Sequence, residues 1–253
     1  MAQQLVQIGL IVVVLVLPIA SWVFSLAIRR GRVPQLRPLP ALDIVQGQLG
    51  RGIETGHPAH ISIGAGGIAG EDTLVTLAGA SIVDSVAQEA ADTGAPPTVT
   101  VADGTALILA QDMLRRPHTR RGDISGYDPL DVQLLGVTPF QYAAGALEFI
   151  GHAHPVSNVM IGSFGPEVGL IAEQGVREGL TQVGGSVDAR ALAVLHPSVD
   201  HLLIGEDVFA APAYLDQRPS HLGRLQAQDL TRFVLVGVIL LAVILQALET
   251  LLR

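Results

Sequence analysis

At 253 residues, 49% hydrophobic and with a mean hydropathy of +0.47, the chain is too apolar for an average soluble domain and too charged to lie wholly in lipid. All fifteen basic residues are arginine and cysteine is absent. These absences exclude a disulfide framework, a thiolate nucleophile, a cysteine-built metal site, a Walker lysine and a lysine Schiff base. Residues 41–228 hold nine arginines against twenty-one acidic residues, a balance that repels phosphate backbones and excludes nucleic acid as a partner.

Taken in chain order, residues 5–28 are apolar apart from Gln7, Ser21 and Ser25, and the spacing predicts a transmembrane helix with Trp22 as an interfacial anchor. No basic residue precedes the run and no small-residue cleavage site follows it, which speaks against a signal peptide. Residues 29–56, with Pro34, Pro38 and Pro40, read as a basic, extended linker. Residues 57–217 form the central domain, and 218–253 a connecting helix with a second apolar span at 233–252. Arg29, Arg30, Arg32 and Arg37 follow the first span, while Arg224 and Arg232 precede the second. The positive-inside rule therefore predicts a two-span protein of the cell membrane, with the domain cytoplasmic and both termini outside. The amides of Gln7 and Gln246, costly in hydrocarbon without partners, predict a homo-oligomer in the lipid bilayer.

Within the domain, short β-branched runs alternate with helical patterns. The expected strands are residues 59–63, 98–101, 132–135, 158–161, 180–183 and 201–204. The expected helices are residues 72–91, 105–116, 139–150, 167–177, 189–195 and 207–215. Asp103, Thr138 before Pro139, and Ser186 or Asp188 supply helix starts. Six successive β–α units imply an α/β fold, a Rossmann-like parallel sheet of about six strands with helices on both faces, flanked by two transmembrane helices. The strands read as near-continuously apolar, as expected when both faces are covered.

Parallel strands put every strand-to-helix loop on one edge, where open α/β sheets bind ligands. The run from Ile61 to Gly70 contains Gly64-x-Gly66-x-x-Ala69 between a strand and a helix, the context of a dinucleotide fingerprint. Asp103 stands where a ribose-binding acid belongs but lies further along the chain than the usual spacing of roughly twenty residues. Glu71 and Asp72 would repel a pyrophosphate at the helix start. With Glu167, Glu206 and Asp207 on the same edge, the carboxylates suit a cation, an amine or a sugar hydroxyl, although helix capping alone also explains them. The candidate binding residues are Gly64, Gly66, Gly67, Gly70, Asp72, Asp103, Gly205 and Asp207, with no cofactor identified. The pairs His57/His60 and His152/His154 read as exposed loop histidines rather than metal ligands. Gly162-Ser163-Phe164-Gly165 imitates a nucleophile elbow without an acid–histidine continuation.

The segments from His57 to Asp72, Val101-Ala102-Asp103, Ala110 to Arg116, Ile161 to Glu173 and Leu203 to Asp207 together resemble an uncharacterised bacterial membrane-protein family, a domain of unknown function. The resemblance spans most of the chain and implies the architecture without an activity. The expected function is a membrane-anchored α/β binding or assembly module for a small-molecule ligand. The alternative is a membrane-tethered enzyme that uses a nucleotide-derived cofactor at the glycine-rich loops.

Overall fold

The computed structural model of the chain describes residues 17–31 and 34–251. Pro38–Leu215 form one unit, and Met1–Arg37 with Asp216–Arg253 form the other.

In the first unit the sheet is wholly parallel, in the order β3-β2-β1-β4-β5-β6. The strands are β1 (Ala59–Gly64), β2 (Thr98–Val101), β3 (Val132–Leu134), β4 (Ser157–Ser163), β5 (Thr181–Ser186) and β6 (His201–Ile204). After a helix at residues 17–29 (α1), the helices are α2 (Pro40–Thr55), α3 (Thr73–Thr93), α4 (Gly104–Arg121), α5 (Pro139–Ala153), α6 (Val168–Arg177), α7 (Ala189–Leu195), α8 (Glu206–Leu215) and α9 (Pro219–Leu251). Every predicted strand and helix of the domain is present, and the α/β, Rossmann-like reading holds. The starts of α4, α5 and α7 follow from their caps: Asp103, Thr138 and Asp188 each accept a backbone N–H from the first turn. α4 runs through the buried Pro117 to Arg121, past the expected end at residue 116.

Two faces of the sheet differ in chemistry. Ile61, Ile63, Val99, Val101, Val159, Ile161, Val183 and Leu203 pack with α2, α3, α4 and α8 in an aliphatic core. Burying each such side chain contributes about 1.5–3 kcal/mol. α3 lies so close to the sheet that a Cβ on Gly79 would run into the carbonyl of Ile161. On the other face, under α5, α6 and α7, the strands present His60, Ser62, Thr100, Asn158 and Gln182, all buried. The expectation of near-continuously apolar strands is thus corrected: they alternate, because the polar side chains satisfy one another across the sheet.

The 29–56 linker is corrected as well. Residues 40–55 are helical, with Pro40 at the start, where its missing N–H costs nothing, and Leu42 and Val45 anchored in the core.

In the second unit, α1 and α9 approach closely: a Cβ on Gly223 would collide with Ser25 and with the Ser21 carbonyl. Asp216 pairs with Arg218 at 3.1 Å and with His221 at 3.1 Å just before and within the start of α9. Among the described residues no helix is long and apolar enough to cross a membrane. This overturns the two-span, cell-membrane reading with its cytoplasmic domain and external termini. Residues 5–16 of the first expected span lie outside the described residues. α9 carries His221, Arg224, Asp229 and Arg232 before its apolar part begins at Phe233. Gln7 and the side chain of Gln246, on which the oligomer expectation rests, also lie outside what is described.

Candidate functional site at the carboxyl edge of the sheet

The chain leaves β1 toward β2 on one side and returns across the sheet to place β4 on the other, so the strand order reverses between β1 and β4. In open α/β sheets the loops part at this point and a crevice opens beyond the strand ends. Both ladders of β1 shift register between Ser62 and Gly64. Gly64 has φ +91°, and a Cβ there would strike the Ser163 carbonyl, which instead accepts the Ala65 N–H at 2.8 Å. Only glycine tolerates that combination of positive φ and close approach.

The loop between β1 and α3 folds inward. A Cβ on Gly66 would stand 2.6 Å from Ser163 Cβ and 2.7 Å from Thr76 Oγ1, and one on Gly67 would stand 2.6 Å from Asp103 Oδ1. Ile68 N–H donates to Thr105 Oγ1 at 3.0 Å and Gly70 N–H to Thr73 Oγ1 at 3.1 Å. Asp72 precedes α3 without a side-chain cap, and Glu71 and Asp72 are both exposed. Thr76, wholly buried beneath the loop, has a hydroxyl with no hydrogen-bond partner. A buried hydroxyl left in that state costs about 1–3 kcal/mol.

Asp103 Oδ1 accepts Thr105 N–H at 2.8 Å, Ala106 N–H at 3.3 Å and the Thr105 hydroxyl. The Thr105 hydroxyl, aided by the two N–H groups and opposed by burial, holds the carboxyl below its ordinary range. Among the described residues nothing donates to Oδ2, so an ionised oxygen beside Gly67 stays available. From the β4 side, Phe164 is buried against Gly64, and Glu167, also buried, accepts Gly165 N–H at 2.7 Å through Oε1.

Gly64, Gly66, Gly67, Gly70, Asp72 and Asp103 therefore share one neighbourhood around the loop after β1, whereas Gly205 and Asp207 do not. These two follow β6, three strands from β1, or about 14 Å along the sheet. Gly205 has φ +58° in the turn into α8, and Asp207 lies in the first turn of α8. Ser163, Phe164, Thr76 and Thr105 line or brace the same loop: Ser163 and Phe164 stood out in the sequence only as an imitation of a nucleophile elbow, and Thr76 and Thr105 were not singled out, because their proximity depends on strand order.

The donor set does not suit the pyrophosphate of a dinucleotide. Such a cradle needs backbone N–H groups facing the ligand at a helix start, but Ala65, Ile68 and Gly70 turn theirs into the protein and two carboxylates precede α3. The ribose half of the fingerprint fares better, because Asp103 ends the turn after β2 directly beside Gly67.

Across the face of the sheet under α5, α6 and α7 runs a buried polar row. Tyr142, from α5, bonds Ser62, lies 2.8 Å from Thr100 Oγ1 and has the Thr100 carbonyl 3.2 Å from its hydroxyl. Thr100 Oγ1 lies 2.8 Å from His60 Nε2, and His60 Nδ1 lies 2.9 Å from Asn158 Oδ1. Asn158 Nδ2 donates to Gln182 Oε1 at 2.8 Å, and Gln182 Nε2 donates to the Ala172 and Ser198 carbonyls at 2.9 and 2.8 Å. His60 is thus no exposed loop histidine: it is wholly buried in β1, and burial pushes its pKa down to about 4. Burial pushes Tyr142 up to about 12. His57, His152 and His154 are exposed, as expected. Among the described residues no three histidine, aspartate or glutamate side chains are grouped so as to hold a metal ion.

The chain belongs to the family described as Domain of unknown function (DUF6754), whose model matches residues 2–252. No curated protein and no solved structure matches it.

Proposed function

We propose that the α/β unit is a binding module whose ligand is a small polar molecule offering hydroxyl or amine donors, seated in the crevice between the loops after β1 and β4. The observation that carries this reading is the reversal of strand order between β1 and β4, which puts the inward-folded glycine loop and Asp103 beside the opening. Asp103 Oδ2 supplies an ionised acceptor, and Glu71 and Asp72 add exposed negative charge. A modest opening of the 65–72 loop gives the orphaned Thr76 hydroxyl a partner in the ligand.

A second reading, an enzyme with a nucleotide-derived cofactor, draws on one observation: Asp103 lies beside Gly67 as a ribose-binding acid does in dinucleotide-binding folds. Thermal-shift measurements on the purified chain with adenosine, a free pentose, spermidine, inorganic pyrophosphate and an oxidised nicotinamide dinucleotide separate the two. Stabilisation by the pentose or spermidine, absent with pyrophosphate and lost in Asp103→Asn, supports the binding module. Asparagine still caps α4, so the fold is kept. Stabilisation by the dinucleotide and by pyrophosphate alone favours the second reading. A response to the pentose or spermidine that Asp103→Asn leaves unchanged removes the crevice as its seat.

A further inference from the structure

The carboxyl edge carries more exposed apolar surface than a small ligand needs. In residues 38–215, thirteen large hydrophobic side chains are exposed among those described, and ten lie in the loops of this edge, at strand ends or in the first two turns of helices rising from it. The most exposed of these ten are Val137 at 74%, Leu74 at 70%, Ile108 at 69% and Phe140 at 66%, while Leu130, also at 74%, precedes β3 at the opposite edge. Scattered exposed hydrophobics are ordinary, but their gathering on one edge marks an interaction surface. Along the sheet these four span the ends of β1, β2 and β3, two strand spacings or about 10 Å, with Leu74 and Ile108 on helices of one face and Phe140 on a helix of the other, so a segment that meets all four lies across the edge. The loops after β1, β2, β3 and β4 hold Glu71, Asp72, Asp103 and Glu167 and neither arginine nor histidine.

We infer that this edge docks a cationic amphipathic segment of a partner protein, its apolar side chains on Leu74, Ile108, Val137 and Phe140 and its arginines or lysines toward Glu71 and Asp72. The charge decides the occupant. An apolar rim alone would accept any hydrophobic partner, whereas a rim beside the exposed Glu71 and Asp72, with Arg190 lying beyond it near Glu167, rejects acidic segments by like-charge repulsion and draws basic ones. The docking surface shares Glu71 and Asp72 with the crevice and is told from it by Leu74 and Phe140, which the crevice ligand does not use, as the crevice is by Asp103.

Fluorescence anisotropy with labelled synthetic peptides tests it on the full chain. One peptide places arginine and leucine at helical spacing, a second replaces arginine by glutamate, and a third replaces leucine by serine. The arginine–leucine peptide is expected to bind at least about tenfold more tightly than either of the others. Leu74→Ser with Phe140→Ser, both exposed and so compatible with an unchanged circular dichroism spectrum, should weaken it by about tenfold or more. Glu71→Gln with Asp72→Asn should weaken it most at low salt. Equal binding of the glutamate or serine peptides, or affinity unchanged in the double variants, overturns the proposal. So does concentration-dependent self-association in sedimentation that Leu74→Ser with Phe140→Ser abolishes, because the edge is then covered by a second copy of the chain.

Discussion

His60 Nδ1 donates to Asn158 Oδ1 across 2.9 Å, and the far end of the row dictates that polarity. Gln182 faces two backbone carbonyls, which only accept, so its NH₂ group lies there and its oxygen meets Asn158 Nδ2. Asn158 is left with an oxygen for His60, whose Nδ1 therefore carries the proton while Nε2 accepts from the Thr100 hydroxyl. The ring is neutral because burial outweighs the bond to Asn158 and lowers its pKa.

That lowering makes stability depend on pH. An unfolded His60 titrates at 6.5 and the folded one at about 4, so between these values the unfolded chain binds the extra proton and stability falls as pH falls. The full loss is about 3 kcal/mol. Asp131, half-buried and pushed up to about 6 by burial and then by Asp128, acts with the opposite sign over the same window. The expected outcome is therefore a difference: as pH falls from about 7 to about 4, the denaturant midpoint of the parent chain should fall more, or rise less, than that of His60→Gln. Equal slopes would remove His60 as the source.

Tyr142→Phe should destabilise the chain by about 1–3 kcal/mol, because the lost hydroxyl leaves buried Ser62 without its partner, while Thr100 keeps only His60. Urea unfolding measures the loss. Ser62→Ala made in the Tyr142→Phe background should cost less than Ser62→Ala alone, since the two changes share one bond.

Two helical glycines should respond to alanine with opposite signs. At Gly47 in α2 nothing lies within 4 Å of an added Cβ, and the better helix former should stabilise by roughly 0.5–1 kcal/mol. At Gly79 in α3 the same methyl meets the Ile161 carbonyl, and the helix must lift from β4 at a cost of about 1–3 kcal/mol. Melting temperatures of the two variants give the comparison, and a stabilised Gly79→Ala would show that α3 does not lie so close to the sheet.

Thr76→Val keeps the shape of the side chain and removes a buried hydroxyl that has no partner. Stability should hold or rise by up to about 1 kcal/mol, while the thermal shift produced by a crevice ligand should shrink. A loss of stability would mean that the hydroxyl is satisfied in solution.

Helix starts were legible in the chain because capping is local: Asp103, Thr138 and Asp188 bond N–H groups two or three residues away. The alternation of strand and helix was legible for the same reason, since periodicity is a property of neighbours. α2 was missed because three prolines read as a linker, although one of them begins the helix. The two apolar ends read as spans by composition, yet no described helix has the length and apolarity to cross a bilayer. His60 read as a loop residue because its partners, Thr100 and Asn158, are 40 and 98 positions away. By itself, then, the sequence determined the element order, the acidic domain and the glycine loop after β1. Only the tertiary structure decided that β1 lies between β2 and β4, which brings Asp103 to Gly67, carries Gly205 and Asp207 away and buries His60 in a polar row. Strand order rests on pairings between distant segments, and no local preference encodes which strand will lie beside which.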